Sequence, residues 1–326
     1  MALSQDEINQ LAEQVALKKN FTTSDLQNGG LLNPAQADAF ITYMFELTLL
    51  TKNRLIRMTT PKQDIDKIGV GTRLLRKATE MTTVTDSTSF TLGKVQLVTQ
   101  KMVLPWDISR DSFKSNIERS GVSDTIQRLM AIQAGNDVED LAINGDTASA
   151  DPMLVANNGW LKLAKSSAAT IQVMASGSGI SKTLFSRMIK AMPTKYKTRR
   201  AELRFYAPPN IVQEYVESLA DRETKLGDDL IQEGVKALAF GIPIIEVPQM
   251  PQELTGTYGG ATGSHADVIL TFPENFITGV LEDIVVFHWF NPRKDAHEFT
   301  MYLEVDFEWE NLGAVVLLRD TKVTNG

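Results

Sequence analysis

The chain has 326 residues, a formal net charge of −7 and no cysteine. The lack of cysteine excludes disulfides, thiolate catalysis, iron–sulfur clusters and cysteine-ligated zinc. Its charges are mixed in sign and form no basic block, unlike a sequence-specific DNA reader, and no run of about 20 apolar residues predicts a membrane span.

The N-terminal region predicts two short amphipathic helices, at 6–19 and 36–48, which are joined by a loop-like segment. Each helix places its apolar side chains on one face and therefore needs an apolar partner. That partner is either the chain's own domain or a neighbouring subunit. The acidic, polar beginning of the chain is unlike a secretory signal, so we expect synthesis in the cytoplasm.

An extended arm is predicted at 65–101. The preceding segment, 54–67, favours a strand interrupted by Pro61, and 94–106 alternates between two sets of side chains. Residues 68–89 between them contain too few large apolar residues to build a core. So long a stretch without structure is uncommon inside a compact domain, which favours a functional extended loop.

A long helix is predicted from Val122 to Asp146. Ser123 is suited to cap its beginning, and Asn144 with Gly145 predicts a left-handed end. One apolar stripe runs along a helix that is about 33 Å long. It consists of Ile126, Met130, Ala134, Val138 and Leu141. The pattern by itself is typical of an ordinary core helix.

The segment 179–281 predicts an α/β unit in which helices and short strands alternate. Helices are expected at 180–192 and at 211–220, and Asn210 is suited to cap the second. A basic run after the first helix favours a solvated helix end over a phosphate contact. The basic residues are Lys195, Lys197, Arg199 and Arg200. The expected strands are 203–207, 244–247, 267–272 and 276–281.

The clearest strand runs from Phe299 to Glu310, and an apolar strand at 313–318 follows it. Alternating apolar and polar residues predict one buried and one solvated face. Three interpretations of the polar face stay open: a solvated surface, pairing with basic residues of another subunit, or a hard-cation site. The third is weakened because alternate side chains of one strand stand about 7 Å apart. The carboxylates of this face are Glu304, Asp306, Glu308 and Glu310.

We find no catalytic or cofactor motif. The three histidines, His265, His288 and His297, lack metal-ligand spacing, and the chain has no G-x-S-x-G elbow. The segment ASGSGISKT imitates a phosphate-binding loop, but Ser176 and Ser181 stand where that loop needs glycine. We therefore expect no enzyme activity, no cofactor and no metal.

The order of these elements resembles the major capsid proteins of tailed bacteriophages. The resemblance is carried by the extended segment FTLGKV at 90–95, the strand with Trp106, the long helix, and the Asn-Gly-Asp turn at 144–146. It implies an α+β fold with a long spine helix, a discontinuous peripheral domain, an axial α/β domain and an extended loop that reaches over the neighbouring subunit. The Lys–Asn crosslink of some members is not implied, since 299–309 holds no asparagine.

The resemblance also implies a division of the chain into four parts. The spine helix is expected at about 123–144, within the peripheral domain. The parts are an N-terminal arm, 1–50; an extended loop, 65–101; an axial domain, 179–281; and a peripheral domain made of 51–64, 102–178 and 282–326.

The implied function is a major capsid protein whose hexamers and pentamers form an icosahedral head shell around double-stranded DNA. It would be assembled in the host bacterial cytoplasm and reside in the virion. Scaffolding, portal and decoration proteins are further partners that the resemblance admits; no membrane and no sequence-specific DNA contact are expected. Alternatives are an encapsulin-like compartment and an α/β enzyme domain. The expected subunit-interface residues are Arg73, Arg76, Lys77, Glu80, Glu304, Asp306, Glu308 and Glu310.

Overall fold

The computed structural model describes residues 53–69, 91–109, 122–220, 237–252, 254–258, 261–281 and 285–323. The predicted helices at 6–19 and 36–48 lie outside these residues, as does the part of the predicted arm at 70–90. What is described is an α+β structure with two mixed sheets.

The helices of the described residues include the predicted long helix, which ends two residues earlier than expected. They are α1 (Val122–Asn144), α2 (Trp160–Ser166), α3 (Lys182–Ala191), α4 (Thr194–Lys197) and α5 (Pro209–Ala220). Short 3-10 turns lie at Arg200–Glu202, Pro273–Asn275 and Leu312–Ala314. None of the described helices is long and apolar enough to cross a membrane.

The strands in chain order begin with the arm and end near the C-terminus. They are β1 (Arg54–Met58), β2 (Lys62–Gly69), β3 (Thr91–Val98), β4 (Gln100–Ser109), β5 (Ile171–Met174), β6 (Arg204–Ala207), β7 (Leu238–Ala239), β8 (Ile242–Glu246), β9 (Leu254–Tyr258), β10 (Ala261–Thr271), β11 (Phe276–Leu281), β12 (Val285–Asn291), β13 (Ala296–Trp309) and β14 (Val316–Lys322).

Among the described residues, the first sheet has five strands and is organised around β13. One edge of β13 pairs with β12 and then with β11, which in turn pairs in parallel with β1. Its other edge pairs with β4 along ten residue positions. The predicted strand at 299–310 is therefore the centre of a sheet.

The second sheet, as far as the structure describes the chain, has seven strands in the order β5-β14-β10-β6-β8-β7, with β9 added beside β10. It takes β14, which the resemblance placed with the peripheral domain, whereas β11 joins the first sheet instead of the axial unit. Sheet membership depends on pairing over long sequence separations, which local patterns do not contain. The division of the chain into four parts otherwise stays a prediction.

The main core lies between α1 and the apolar face of β13. Ala134, Val138 and Leu141 of the predicted stripe are buried there against Val305 and Phe307. Helix α2, which the sequence does not predict, adds Trp160 to this core. The indole is 1% exposed and meets Phe276 and Phe307 edge-on at centroid distances of 4.8 and 5.6 Å.

The end of α1 differs from the predicted left-handed stop. Gly145 is not among the residues with positive φ. Glycine is needed there because a Cβ would lie 2.4 Å from the Asn157 carbonyl oxygen and 2.5 Å from that of Leu141. The Gly159 amide donates to the Gly145 carbonyl at 2.8 Å, so two backbone segments touch at this point. Glycine is therefore required at position 145 because two backbone segments approach each other closely, and not because the backbone is left-handed there.

Two predicted helix caps lie inside their helices. Helix α1 begins at Val122, which places Ser123 in its first turn. Helix α5 begins at Pro209, a position that proline favours, so Asn210 is also helical. The exposed N–H of Asn210 donates a hydrogen bond to Gln252 Oε1, in another segment of the chain, at 3.3 Å.

Candidate assembly surface

A two-stranded antiparallel arm, formed by β2 and β3, leaves the first sheet. Its register is unbroken over eight residue pairs. Across the pair, Asp64 accepts hydrogen bonds from Gln96 Nε2 at 2.8 Å and from Lys94 Nζ at 3.4 Å. The bond from Gln96, followed by that from Lys94, lowers the pKa of Asp64. The two-stranded arm is thus confirmed for the residues described, but it begins at Lys62 and ends at Val98, and the predicted last residues, Gln100 and Lys101, pair with β13 instead.

The arm root, by which we mean residues 97–99, packs against the sheet through Leu97. This side chain is fully buried with Met58, Ile277 and Leu281. Gly279 lies directly beneath it: an added Cβ would stand 3.0 Å from Leu97 Cδ1 and 2.8 Å from Met58 Sδ. The glycine therefore allows the arm to rest on strand β11.

The polar face of β13 binds the same root through hydrogen bonds. Asp306, which is opposite Gly279 in the sheet, accepts the Val98 amide proton on Oδ2 at 2.7 Å. Glu304 accepts the Thr99 hydroxyl on Oε2 at 3.1 Å. Val98 ends β3, and Thr99 separates it from β4, so both bonds hold the chain where the arm joins the sheet.

The two carboxylates nearer the end of β13 have different surroundings. Glu310 pairs with Arg54 at 3.4 Å. Burial raises the pKa of Glu308 to about 7, and the nearby charge of Asp306 adds to this shift. Burial also raises the pKa of Asp306 to about 6, although the Val98 amide opposes it. Proton uptake near neutral pH is therefore a property of this cluster.

The predicted alternation of β13 is confirmed, but its polar face is not simply solvated. Residues on that face are half-buried from Thr300 to Glu308, and the arm root is hydrogen-bonded to two of them, Glu304 and Asp306. Pairing of this row with another subunit stays a prediction. The four other residues with which it was predicted to share the interface lie outside the described residues. They are Arg73, Arg76, Lys77 and Glu80.

A second surface, which the sequence analysis missed, exposes large apolar side chains on β12 and β4. Trp289, Val103 and Phe287 are 66%, 56% and 48% exposed. The strand registers place them on the same face as Tyr302 and Glu298. Phe287, Trp289 and their β13 neighbours line a shallow depression of about 330 Å³. We call this the aromatic face; the apolar run VVFHWF at 285–290 was the signal for it.

The basic run after α3 is engaged within the chain. Arg199 pairs with Glu202 and, at 3.3 Å, with Glu274. Arg200 donates to the Phe240 carbonyl at 2.7 Å. Both arginines thus have partners within the chain. This favours the predicted helix-end role of the basic run over a phosphate contact.

The histidines are distributed over both sheets. His265 is buried in β10, His288 lies in β12 and His297 lies in β13. Within the described part of the chain, no group of three or more histidine, aspartate or glutamate side chains has the arrangement of a metal site.

A close relative in sequence decides the family. Over 275 residues the chain is 37% identical to YqbE of Bacillus subtilis (strain 168), described as a prophage capsid protein. The match covers 83% of this chain and 86% of the relative. The chain belongs to this family of phage capsid proteins. No protein-family model matches it.

Solved structures share the fold of this capsid-family chain at low sequence identity. The satellite phage P4 procapsid with its size determination protein matches with a TM-score of 0.67 and 14% identity, over 99% of both chains. The capsid of an empty GTA particle matches with a TM-score of 0.62 and 14% identity, over 98% of this chain and 100% of the other. The SrpI encapsulin of Synechococcus elongatus PCC 7942 gives 0.54 and 10%, over 100% and 98%. The predicted tailed-phage major capsid fold is confirmed.

Proposed function

We propose that this chain is the major capsid protein of a tailed bacteriophage or prophage, and that copies of it form an icosahedral head shell. The observation that carries the proposal is the 37% identity to a prophage capsid protein along 86% of that relative. Hexamers and pentamers of the chain would enclose double-stranded DNA in the virion. Assembly would take place in the host bacterial cytoplasm, with scaffolding, portal or decoration proteins as further partners.

The geometry supports a structural role in which surfaces of the chain bind other subunits. The arm projects two paired strands from a root that is fixed by Leu97, Asp306 and Glu304, which suits a segment that must reach another subunit. The aromatic face exposes three large apolar side chains to water. A partner surface that covered them would remove the free-energy cost of this exposure. We propose that a second copy of the chain covers the aromatic face.

Charged residues of the arm tip are proposed to make further contacts between subunits. Arg73, Arg76, Lys77 and Glu80 belong to this set. The acidic row of β13 is proposed as a second part of the interface, through those carboxylate oxygens that its own arm root leaves free. A net charge of −7 is compatible with enclosing DNA, because a container should not adhere to its polyanionic contents.

Electron microscopy and size-exclusion chromatography of the purified chain test this proposal, first alone and then with a co-expressed scaffold. We expect closed particles or rings of five and six subunits. A chain that lacks 70–90 is the matched control and should remain folded but not close into shells. A monomer of 36.1 kDa under every condition would contradict a shell function.

The alternative within the same fold is an encapsulin-like compartment. It is supported by the fold similarity to SrpI encapsulin, at a TM-score of 0.54. The contents of particles purified from the native host separate the two functions. Double-stranded DNA supports the phage shell, and a single abundant cargo protein supports the compartment.

A further inference from the structure

The depression on the aromatic face is walled by three aromatic rings. Phe287, Trp289 and Tyr302 line its volume of about 330 Å³ together with Glu298 and Thr300. The rings of Phe287 and Tyr302 stand 78° apart, with their centroids separated by 5.9 Å. Trp289 is 66% exposed and Phe287 is 48% exposed. Rings set at an angle around one space present several π faces to a single ligand.

Glu298 places a negative charge in the same depression. Its side chain is 14% exposed and lies 2.9 Å from Lys294 Nζ. It also accepts hydrogen bonds from Trp289 Nε1 and from Asn291 Nδ2. The bond from Lys294, followed by those from Trp289 and Asn291, lowers the pKa of Glu298, so the carboxylate is ionised at neutral pH. Because the indole N–H lies in the ring plane, its bond orients Trp289 by the edge and does not use the faces.

Two carboxylates share one lysine at this end of the sheet. Asp107 is opposite Glu298 in the strand register, and Lys294 Nζ lies 3.5 Å from its carboxylate. These three side chains therefore carry a net charge of one negative unit. The sign excludes a nucleic-acid phosphate and suits a cation.

A lysine of the chain itself already lies on one of the three rings. Lys101 Nζ is 4.3 Å from the Tyr302 centroid, within the roughly 6 Å of a cation–π contact. Its charge is matched by Glu304, which is its partner in the strand register. The rings of Phe287 and Trp289 are more exposed than that of Tyr302 and can receive a second cation from outside the chain.

We propose that this depression is a pocket for one organic cation, the ammonium or guanidinium group of a lysine or arginine side chain from a second copy of the chain. The inference rests on the proposed self-association and gives that contact its chemistry. Aromatic faces beside a carboxylate attract such groups through cation–π and charge interactions together. A purely apolar cover would instead remove water from two carboxylates that share one lysine, which is costly. Within the predicted interface, a second copy carries three bases in five positions, Arg73, Arg76 and Lys77.

Choline, a quaternary ammonium ion, tests the pocket in the full-length chain at concentrations below those at which particles form. The readout is the NMR signal of the Trp289 indole N–H, which is assigned with Trp289→Phe. We expect a saturable shift, and about tenfold weaker binding of 3,3-dimethyl-1-butanol, the neutral molecule of the same shape. Glu298→Gln, which keeps the shape of the side chain, should weaken choline binding about tenfold as well. Glu217→Gln, on α5, is the matched control and should leave it unchanged. Equal binding of the two molecules, or choline binding that does not respond to Glu298→Gln, would overturn the pocket.

Assembly in the presence of the same two molecules tests the second copy as the source of the cation. Choline should reduce the fraction of subunits in rings or shells, measured by analytical ultracentrifugation against sodium chloride of equal ionic strength. The neutral alcohol should not reduce it, and Glu298→Gln should assemble less than the wild type. Particles that form equally well with and without choline would overturn the inference and leave the shell function standing. A wild-type chain that forms no particles under any condition would contradict the shell function, and the second copy as occupant with it, whatever the titration shows.

Discussion

Leu97 of the arm lies directly on Gly279 of strand β11, close enough that an added Cβ would stand 3.0 Å from Leu97 Cδ1. Met58 Sδ closes the same space at 2.8 Å, and both side chains are fully buried. The packing of the arm on the sheet therefore depends on glycine, which has no side chain, at position 279.

We predict that Gly279→Ala loosens the arm root. The added methyl group overpacks the site and should cost about 1–2 kcal/mol of unfolding free energy, measured by urea denaturation. Amide exchange at Leu97 and Val98 should also accelerate. Gly93→Ala is the matched control, since its Cβ would meet Lys67 Cβ at an ordinary 3.6 Å. Equal stability of the two variants would argue against this seat.

A stronger effect is expected for Gly145→Ala, at the end of α1. Its Cβ would lie 2.4 and 2.5 Å from two backbone carbonyl oxygens, which cannot rotate away as a side chain can. The expected loss is about 2–4 kcal/mol, visible as a lower thermal midpoint. Gly179→Ala has no heavy atom within 4 Å and should leave the midpoint nearly unchanged.

Truncation of Trp160 should unfold the main core more than truncation of an exposed tryptophan. The Trp160 indole is 1% exposed, and its Nε1 donates to the Glu308 carbonyl at 3.2 Å. We expect Trp160→Ala to cost about 3–5 kcal/mol in chemical denaturation. Trp289→Ala, at a residue 66% exposed, should cost less than about 0.5 kcal/mol. Similar losses at both positions would contradict the assigned burial.

The aromatic face should matter for assembly and not for folding. Trp289→Ser and Phe287→Ser remove apolar surface that we propose a second copy covers, so shells or rings should decrease while the subunit's thermal midpoint is retained. Analytical ultracentrifugation measures the first effect and calorimetry the second. Lys182→Ser, at the beginning of α3, serves as a surface control. Normal assembly of both aromatic variants would place the contact elsewhere.

The stability of the subunit should fall as pH rises from about 4 to about 7, as far as Asp306 and Glu308 are concerned. Their folded pKa values, about 6 and about 7, exceed the unfolded ones, so the folded state holds protons that the unfolded chain has released. Glu308→Gln should flatten this slope and gain about 1 kcal/mol at pH near 8, after allowance for solvent screening.

The opposite sign applies to carboxyls with lowered pKa. Asp64, Asp146 and Glu298 are each held ionised, chiefly by hydrogen bonds from Gln96, Lys162 and Lys294. Their contribution is present above the unfolded pKa and is lost below about pH 4. Urea denaturation over a pH series separates the two windows. A stability that rises steadily between pH about 5 and about 8 in the wild type, unchanged in Glu308→Gln, would contradict our assignment.

Elements with a strong local period could be predicted from the sequence. The alternation of β13 repeats along the whole strand, so its buried face is encoded in the segment itself, and three residues of the predicted α1 stripe, Ala134, Val138 and Leu141, are buried. Shorter elements could not. Helix α2 has seven residues and β5 has four, too few for a period to emerge.

The sequence by itself determined that this chain carries a long helix, a paired arm and a strand with four carboxylates on one face. Only the tertiary structure decided which groups those carboxylates contact. Asp306 and Val98 are 208 residues apart, and no local pattern contains a contact over that distance. Folding places the arm root over Gly279, where burial changes the proton affinity of Asp306 and Glu308. A face that reads as solvated in sequence thereby becomes the seat of the arm.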